Sequence, residues 1–171
     1  NENKELITIS IGSNISNINL LNHKYDGKSI SGKQNRDSIV NTALLYLHSP
    51  YLWGGKTPFG IDCSGFTQMV YKINGYKLLR DAKDQATQGE TLSFIEESEP
   101  GDLAFFHNKE DVIVHVGIIL MDNHIIHASG KVRIDRLDQT GIYNNEKNTH
   151  THYLRYIKKI IWFICFLIQQ Q

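Results

Sequence analysis

Of the two cysteines in the chain, Cys63 lies in the string Asp62-Cys63-Ser64-Gly65-Phe66, three residues ahead of the apolar stripe Phe66, Met69, Val70 and Ile73. A stripe at i, i+3, i+4 and i+7 reads as a helix, which puts the Cys63 sulfur at its first turn. Unpaired N–H groups and the positive end of the helix dipole stabilise a thiolate there and lower the thiol pKa. The same N–H groups can hold the oxyanion of a tetrahedral intermediate, and Gly65 leaves room for a substrate carbonyl to approach. The competing reading is a small buried core residue, because free cysteine is among the most buried residue types. Cys165 stands in an apolar tail with no comparable setting.

A thiol nucleophile needs a base. His115 interrupts the apolar run Val112-Ile-Val-His-Val-Gly-Ile-Ile-Leu120, and His127 follows in Ile125-Ile-His-Ala128. An imidazole buried in such a strand costs free energy unless hydrogen-bonded, so each is either a satisfied core histidine or a functional one. Parity separates two arrangements. A two-residue loop at Asp122-Asn123 turns His115 and His127 to opposite faces, whereas a three-residue loop, Met121-Asp122-Asn123, pairs Gly117 with His127. His115 is then the diagonal neighbour of His127 on one face, about 7–8 Å away between α-carbons, and Gly117 clears space beside them. His127 can orient His115, which turns its other nitrogen toward Cys63.

The other histidines (His23, His48, His107, His124, His150, His152) lack ligand spacing and read mostly as surface residues. A Cys63/His115/His127 zinc site is chemically allowed, but a cysteine at a helix start beside two histidines suits metal-free catalysis equally well, and no metal is expected. Two cysteines in unlike contexts make no disulfide framework. With Lys+Arg 18 and Asp+Glu 18 the formal net charge is zero, which argues against a nucleic-acid partner held by a basic surface.

The scaffold for these residues fits one domain in 171 positions. Residues 1–34 alternate weakly among Asn, Ser and Gly and read as short strands or a linker, the remnant of an upstream module. From Asn35, Ile39, Val40, Ala43, Leu44 and Leu47 share a helical face that Pro50 ends. The Cys63 helix follows a Gly/Pro-rich loop, with Gly75 placed as its C-cap, and a short helix starts at Asp81 and reaches toward Gly89. After Pro100-Gly101 the pattern turns to strands at 102–107, 112–120, 124–129, 132–137 and 153–161. Helices first and strands after predict an α+β domain over 35–161 with a small antiparallel sheet. The apolar stretch 160–168 is too short to cross about 30 Å of hydrocarbon as a helix, so no membrane span is expected, and the tail 162–171 has no assigned role. No signal peptide is legible at the first residues, which do not include an initial Met.

Five segments in order, Tyr51-Leu-Trp-Gly-Gly55, Asp62-Cys-Ser-Gly-Phe66, Pro100-Gly-Asp-Leu103, His115-Val-Gly-Ile118 and Ile126-His-Ala128, resemble the NlpC/p60 family of bacterial cell-wall cysteine peptidases. The resemblance implies a stripped-down papain-like fold, its N-terminal helices packed on the sheet, and hydrolysis of amide bonds in peptidoglycan stem peptides without a cofactor. It implies that Cys63 attacks, His115 is the base, His127 orients it, and Tyr51 brings its hydroxyl near the oxyanion; otherwise Tyr51 is an aromatic packed under the glycine loop. The longer string from Tyr51 to Phe66, with Arg80-Asp81-Ala82, looks closer to the γ-D-glutamyl-L-diamino-acid endopeptidase branch, which acts on peptides with a free N-terminal L-Ala. In that branch the positions matching Asp62, Ser64 and Asp81 bind the substrate amino end, as an ammonium entering a partly dry site requires; Asp81 is also placed to cap a helix. That branch carries SH3-like modules upstream, where this chain has only residues 1–34. Muropeptides or stem peptides are the expected partners, for a monomer; a cell-envelope or secreted location is favoured, and cytoplasmic muropeptide recycling stays open. Two other activities fit the same residues: acyl transfer to a non-water acceptor, and wall-peptide binding without catalysis.

Overall fold

Asn35 opens the first helix, its side chain accepting the Ser38 N–H at 3.0 Å in the N-cap position. The computed structural model describes residues 5–161, so the apolar tail 162–171 with Cys165 lies outside the described residues. Helix α1 (Arg36–Leu44) buries Arg36, Ile39, Thr42 and Ala43. Leu44 is exposed, so the buried face is rotated from the stripe expected above. Helix α2 (Cys63–Ile73) is capped by Asp62 and closed past Asn74 by Gly75, whose φ of +81° suits the left-handed C′ position. Helix α3 (Ala82–Gln85) is a single turn and stops short of Gly89. Residues 5–34 form no strand; apart from a 3-10 turn at Ile18–Leu21 they run as an irregular segment. Ile11 packs on the core, and Lys72 donates to the Gly12 carbonyl at 3.1 Å.

A two-residue hairpin, β1 (Lys56–Thr57) and β2 (Gly60–Ile61), leads into α2. The main sheet holds β3 (Glu90–Leu92), β4 (Leu103–His107), β5 (Ile113–Ile119), β6 (His124–Ser129), β7 (Lys131–Leu137), β8 (Gly141–Asn144) and β9 (Thr149–Lys159). The order is β3-β9-β4-β5-β6-β7-β8, and β8 also pairs with β9. Six strands, β4 to β9, therefore close on themselves as an antiparallel barrel, with β3 an outer strand on β9. The sheet is antiparallel as expected from the sequence, but larger than the small sheet expected and closed into a ring. The short β8 was not legible as a strand, and without it β9 has no partner with which to close the ring. Register shifts on β9 opposite Phe105/Phe106 and Ile142/Tyr143 bend it between neighbours.

The period-2 alternation of the strands divides the core. Leu103, Phe105, Val116, Ile118, Ile126 and Ala128 face Ile39, Phe66 and Val70 of the helices. Ala104, Phe106, Ile119, Ile125, Leu137 and Ile142 fill the barrel. Each fully buried Phe or Ile contributes about 1.5–3 kcal/mol, so the helices are held by the outer layer of the sheet. A buried ion pair, Arg36 Nη1 to Asp102 Oδ1 at 2.7 Å, ties α1 to the entry of β4.

Candidate active site

Asp62 organises the first turn of α2. Its Oδ1 accepts the Gly65 N–H at 2.6 Å and its Oδ2 the Gly54 N–H at 2.8 Å, while its carbonyl accepts the Phe66 N–H. The N–H groups of Cys63 and Ser64 are left for the sulfur, and the Val116 N–H joins them. The β5–β6 ladder runs only from Gly117 to Ile119, so Val116, just past its end, is available to the thiol. The net direction for Cys63 is nevertheless upward: burial dominates, the Asp62 charge adds to it, and the three N–H groups offset only part. The lowered thiol pKa expected from the helix position is therefore not what the free site has; it rests as a neutral thiol. Gly65 also has a different reason from the one expected. A Cβ there would lie 2.4 Å from the Gly55 carbonyl oxygen and 2.8 Å from Asp62 Oδ1, so the glycine lets the loop and its cap close onto the helix.

The hairpin has the three-residue loop, and Gly117 faces His127. A Cβ on Gly117 would come within 2.9 Å of the His127 Cβ, so the glycine does clear space. His115 Nε2 lies 2.8 Å from His127 Nδ1, and His127 Nε2 lies 3.0 Å from Asp135 Oδ2. Burial raises the Asp135 pKa, but hydrogen bonds from His127 and Arg133 outweigh it and hold the carboxyl below its usual range. An ionised carboxylate only accepts. His127 Nε2 therefore donates to Asp135, its Nδ1 accepts from His115 Nε2–H, and His115 keeps a lone pair on Nδ1. Burial, then the neighbouring His127 and His152, hold His115 well below the ordinary histidine range; burial lowers His127 too, against the opposing pull of Asp135. Both are neutral imidazoles, the form a base requires.

Asp135 and His152 were not singled out from the sequence. Asp135 is gripped by Arg133 through Nε at 2.7 Å and Nη2 at 3.0 Å, and Arg133 also reaches Glu146. Its signal was the turn at Gly130, which pairs His127 with Arg133 and sets Asp135 two residues on along the same face. His152, on β9, is half-buried rather than a surface residue. Its ring stacks on His115 with centroids 4.2 Å apart, and its Nδ1 is 2.9 Å from Thr151 Oγ1. Burial, reinforced by His127, lowers its pKa to about 4. Potential ligand atoms of His115, His127 and His152 lie within 4.8 Å of one another, a set that does not include Cys63. His152 thus has the ligand proximity that its sequence spacing did not reveal.

Tyr51 is carried beside the site by Pro50 and Tyr51, which bridge to Lys131 and Ile61. Burial and the nearby Cys63 and Asp62 raise its pKa, with Arg80 opposing. Asp62 and Ser64 are already engaged: Arg80 Nη2 meets Asp62 Oδ2 at 2.6 Å, and Nη1 reaches Ser64 Oγ at 2.9 Å. Burial pulls Asp62 up, but Arg80 and the Gly65 and Gly54 N–H groups hold it below its usual range. Asp81, next to Arg80, is exposed and makes no capping hydrogen bond to α3.

The NlpC/P60 family model matches residues 48–152. The gamma-D-glutamyl-L-lysine dipeptidyl-peptidase of Bacillus subtilis (strain 168) is 40% identical over 119 residues, covering 67% of this chain and 40% of that protein. Among solved structures, an NlpC/P60 family protein from Bacillus cereus ATCC 10987 superposes with a TM-score of 0.64 at 28% identity, over 75% of this chain and 41% of that one. The NlpC/p60 domain of the peptidoglycan hydrolase SagA superposes with a TM-score of 0.58 at 28% identity, over 74% of this chain and 99% of that one. The chain thus spans about two fifths of the length of the B. subtilis relative. From the family model across most of the barrel and the identity shared with these relatives, the chain belongs to the NlpC/P60 family.

Proposed function

We propose that this chain is a cysteine peptidase that hydrolyses bacterial peptidoglycan stem peptides at the bond between the D-Glu γ-carbonyl and the L-diamino acid. The observation that carries this reading is the directed hydrogen-bond chain from Asp135 through His127 to His115, which ends in a lone pair on the strand that also offers its Val116 N–H to the Cys63 sulfur. His115 Nδ1 takes the thiol proton as the sulfur attacks the γ-carbonyl. The N–H groups of Cys63 and Ser64, with the Tyr51 hydroxyl, receive the oxyanion. His115 returns its proton to the departing amine, leaving a thioester on Cys63; water, deprotonated by His115, then releases the acid and restores the thiol. Because the resting pair is neutral, proton transfer accompanies attack instead of preceding it.

The name of the B. subtilis relative supports the γ-D-glutamyl bond as the target. Asp62, Ser64 and Asp81 form the pocket for a free L-Ala amine. Asp62 and Ser64 act through their shared Arg80, and Asp81 supplies the open carboxylate. The cysteine on a helix start and the histidine on the adjoining sheet fit a reduced papain-like plan, with residues 35–161 as the catalytic domain and residues 1–34 as a linker from an upstream module. A wall substrate puts its work at the cell envelope, where we take it to act as a monomer. Incubation with defined muropeptides and mass spectrometry of the products tests this: cleavage is expected between D-Glu and the diamino acid, and Cys63→Ala abolishes it while thermal unfolding stays near wild type. Hydrolysis by Cys63→Ala near the wild-type rate defeats the proposal.

A further inference from the structure

The relay leaves one titratable neighbour without a task. His152 comes from β9, on the far side of the barrel seam from β5 and β6, yet its ring lies 4.2 Å from His115 and 5.6 Å from His127, centroid to centroid. We propose that His115, His127 and His152 form a binding site for a divalent transition-metal ion such as Zn²⁺, and that the occupied site is the inactive state of the enzyme. The inactivation half of this statement rests on the peptidase reading; the site itself does not.

Each of the three residues offers one ligand atom within 4.8 Å of the others. Zinc binds imidazole nitrogen at about 2.0–2.1 Å, so ligand nitrogens around a tetrahedral ion stand about 3.4 Å apart. His115 Nε2 and His127 Nδ1, now 2.8 Å apart, part slightly to admit it. His152 tilts out of its stack to aim its nitrogen at the same point. Its Nδ1 is occupied by Thr151, which leaves Nε2 for the ion. The outer groups suit this role. His127 already donates Nε2–H to Asp135, the carboxylate–histidine arrangement that fixes the tautomer and raises the basicity of a metal-bound imidazole. Three neutral imidazoles can bind the ion without net loss of a proton. An entry route exists: a recess of about 560 Å³ is lined by His127, Arg133, Asn144, Lys147, Thr151 and His152. The Arg133 charge is matched by Asp135 and Glu146, while Lys147 opposes the ion and limits its affinity.

The consequence for catalysis is a tautomer change. When His115 Nε2 binds the ion, its proton moves to Nδ1, no proton is lost overall, and the nitrogen that takes the thiol proton in the proposed mechanism becomes a donor. The base is then gone although every residue remains in place.

Co²⁺ and Zn²⁺ titrations of the intact protein test the site directly. One equivalent of Co²⁺ is expected to give the visible absorption of a tetrahedral nitrogen-ligated ion, unchanged in Cys63→Ala and weakened at least tenfold in His152→Phe, with His152→Asn as a second variant should the first fail to fold. No such band in the wild-type protein, equal affinity in the foldable His152 variant, or a sulfur-to-metal charge-transfer band lost in Cys63→Ala overturns the proposed ligand set. On muropeptide substrate, Zn²⁺ is expected to inhibit the wild type reversibly, with chelator restoring the rate. Co²⁺ binding at the three histidines without inhibition overturns the inactivation half alone. A protein that binds Co²⁺ as described and cleaves no muropeptide counts against the peptidase reading, not against the site.

Discussion

Asp135→Asn separates a directed relay from a merely packed pair of histidines. Asp135 is nearly fully buried, with its side chain 4% exposed, and its Oδ2 accepts from both His127 and Arg133. Asparagine keeps the shape but loses the charge and replaces one oxygen with a donor. If the amide nitrogen faces His127, that ring carries its proton on Nδ1, His115 carries its own on Nδ1, and Cys63 faces an N–H. If the amide oxygen faces His127, the amide nitrogen meets the Arg133 guanidinium, donor against donor. Either arrangement forfeits a charge-assisted hydrogen bond worth about 1.5–3 kcal/mol and the stabilisation of the imidazolium formed during attack. In a relay of one imidazole the same change costs about 10⁴-fold. Here the carboxylate acts through two rings, and a loss of about 2–4 kcal/mol is expected, a fall in kcat of roughly 30–1,000-fold. KM should move less than about threefold, because Asp135 lies behind His127, away from the substrate. The assay is steady-state cleavage of a γ-D-Glu-diamino acid peptide, with thermal unfolding to show that the fold is retained. A folded Asp135→Asn enzyme with kcat within about threefold of wild type refutes the tautomer relay.

Three further outcomes follow. Gly65→Ala sets a Cβ 2.4 Å from the Gly55 carbonyl; about 1–3 kcal/mol of destabilisation is expected, read as a Tm drop of roughly 2–12 °C, and an unchanged Tm contradicts the close approach. Acid should weaken the fold. His115, His127 and His152 are all held below the ordinary histidine value, so the unfolded chain gains protons first, and the stability present above about pH 6.5 is lost progressively below it. With a folded value of about 4, His152 alone accounts for up to about 3 kcal/mol; urea midpoints that stay flat between about pH 7 and 4.5 refute this. Asp81→Ala should raise KM for peptides with a free amine more than for N-blocked ones, and equal effects on both remove Asp81 from the amino-end pocket.

How far the site could be read in advance depended on how local its signals are. The stripe from Phe66 to Ile73 locates a helix start within a dozen residues, so the position of Cys63 was legible. The His115–His127 register needed only the length of one loop. Asp135 needed the parity carried across one more turn, at Gly130, and the left-handed glycine there (φ +71°) is a recognisable marker. His152 was out of reach, because β8 is four residues flanked by polar turns and the barrel closes only when it pairs with β9. The expected thiolate failed for a different reason: a helix N-terminus favours charge, yet burial beside Asp62 disfavours it more, and no sequence pattern weighs the two. The rotated face of α1 is tertiary as well, since the buried ion pair of Arg36 with Asp102 places a charged residue where an apolar stripe would not.

Among the described residues strand β9 follows every other strand in chain order and pairs with three of them, β3, β4 and β8. During synthesis the chain emerges from its amino end, so β4 to β8 leave the ribosome as an open ribbon with two unpaired edges. Until β9 arrives the lumen residues Phe106, Ile119 and Ile125 have no lid, and His115 lacks the ring that stacks on it. A nascent chain therefore carries Cys63 and His115 before it has a closed barrel around them. Ring closure is thus the last step of the chain's order, and it is what brings His152 against His115.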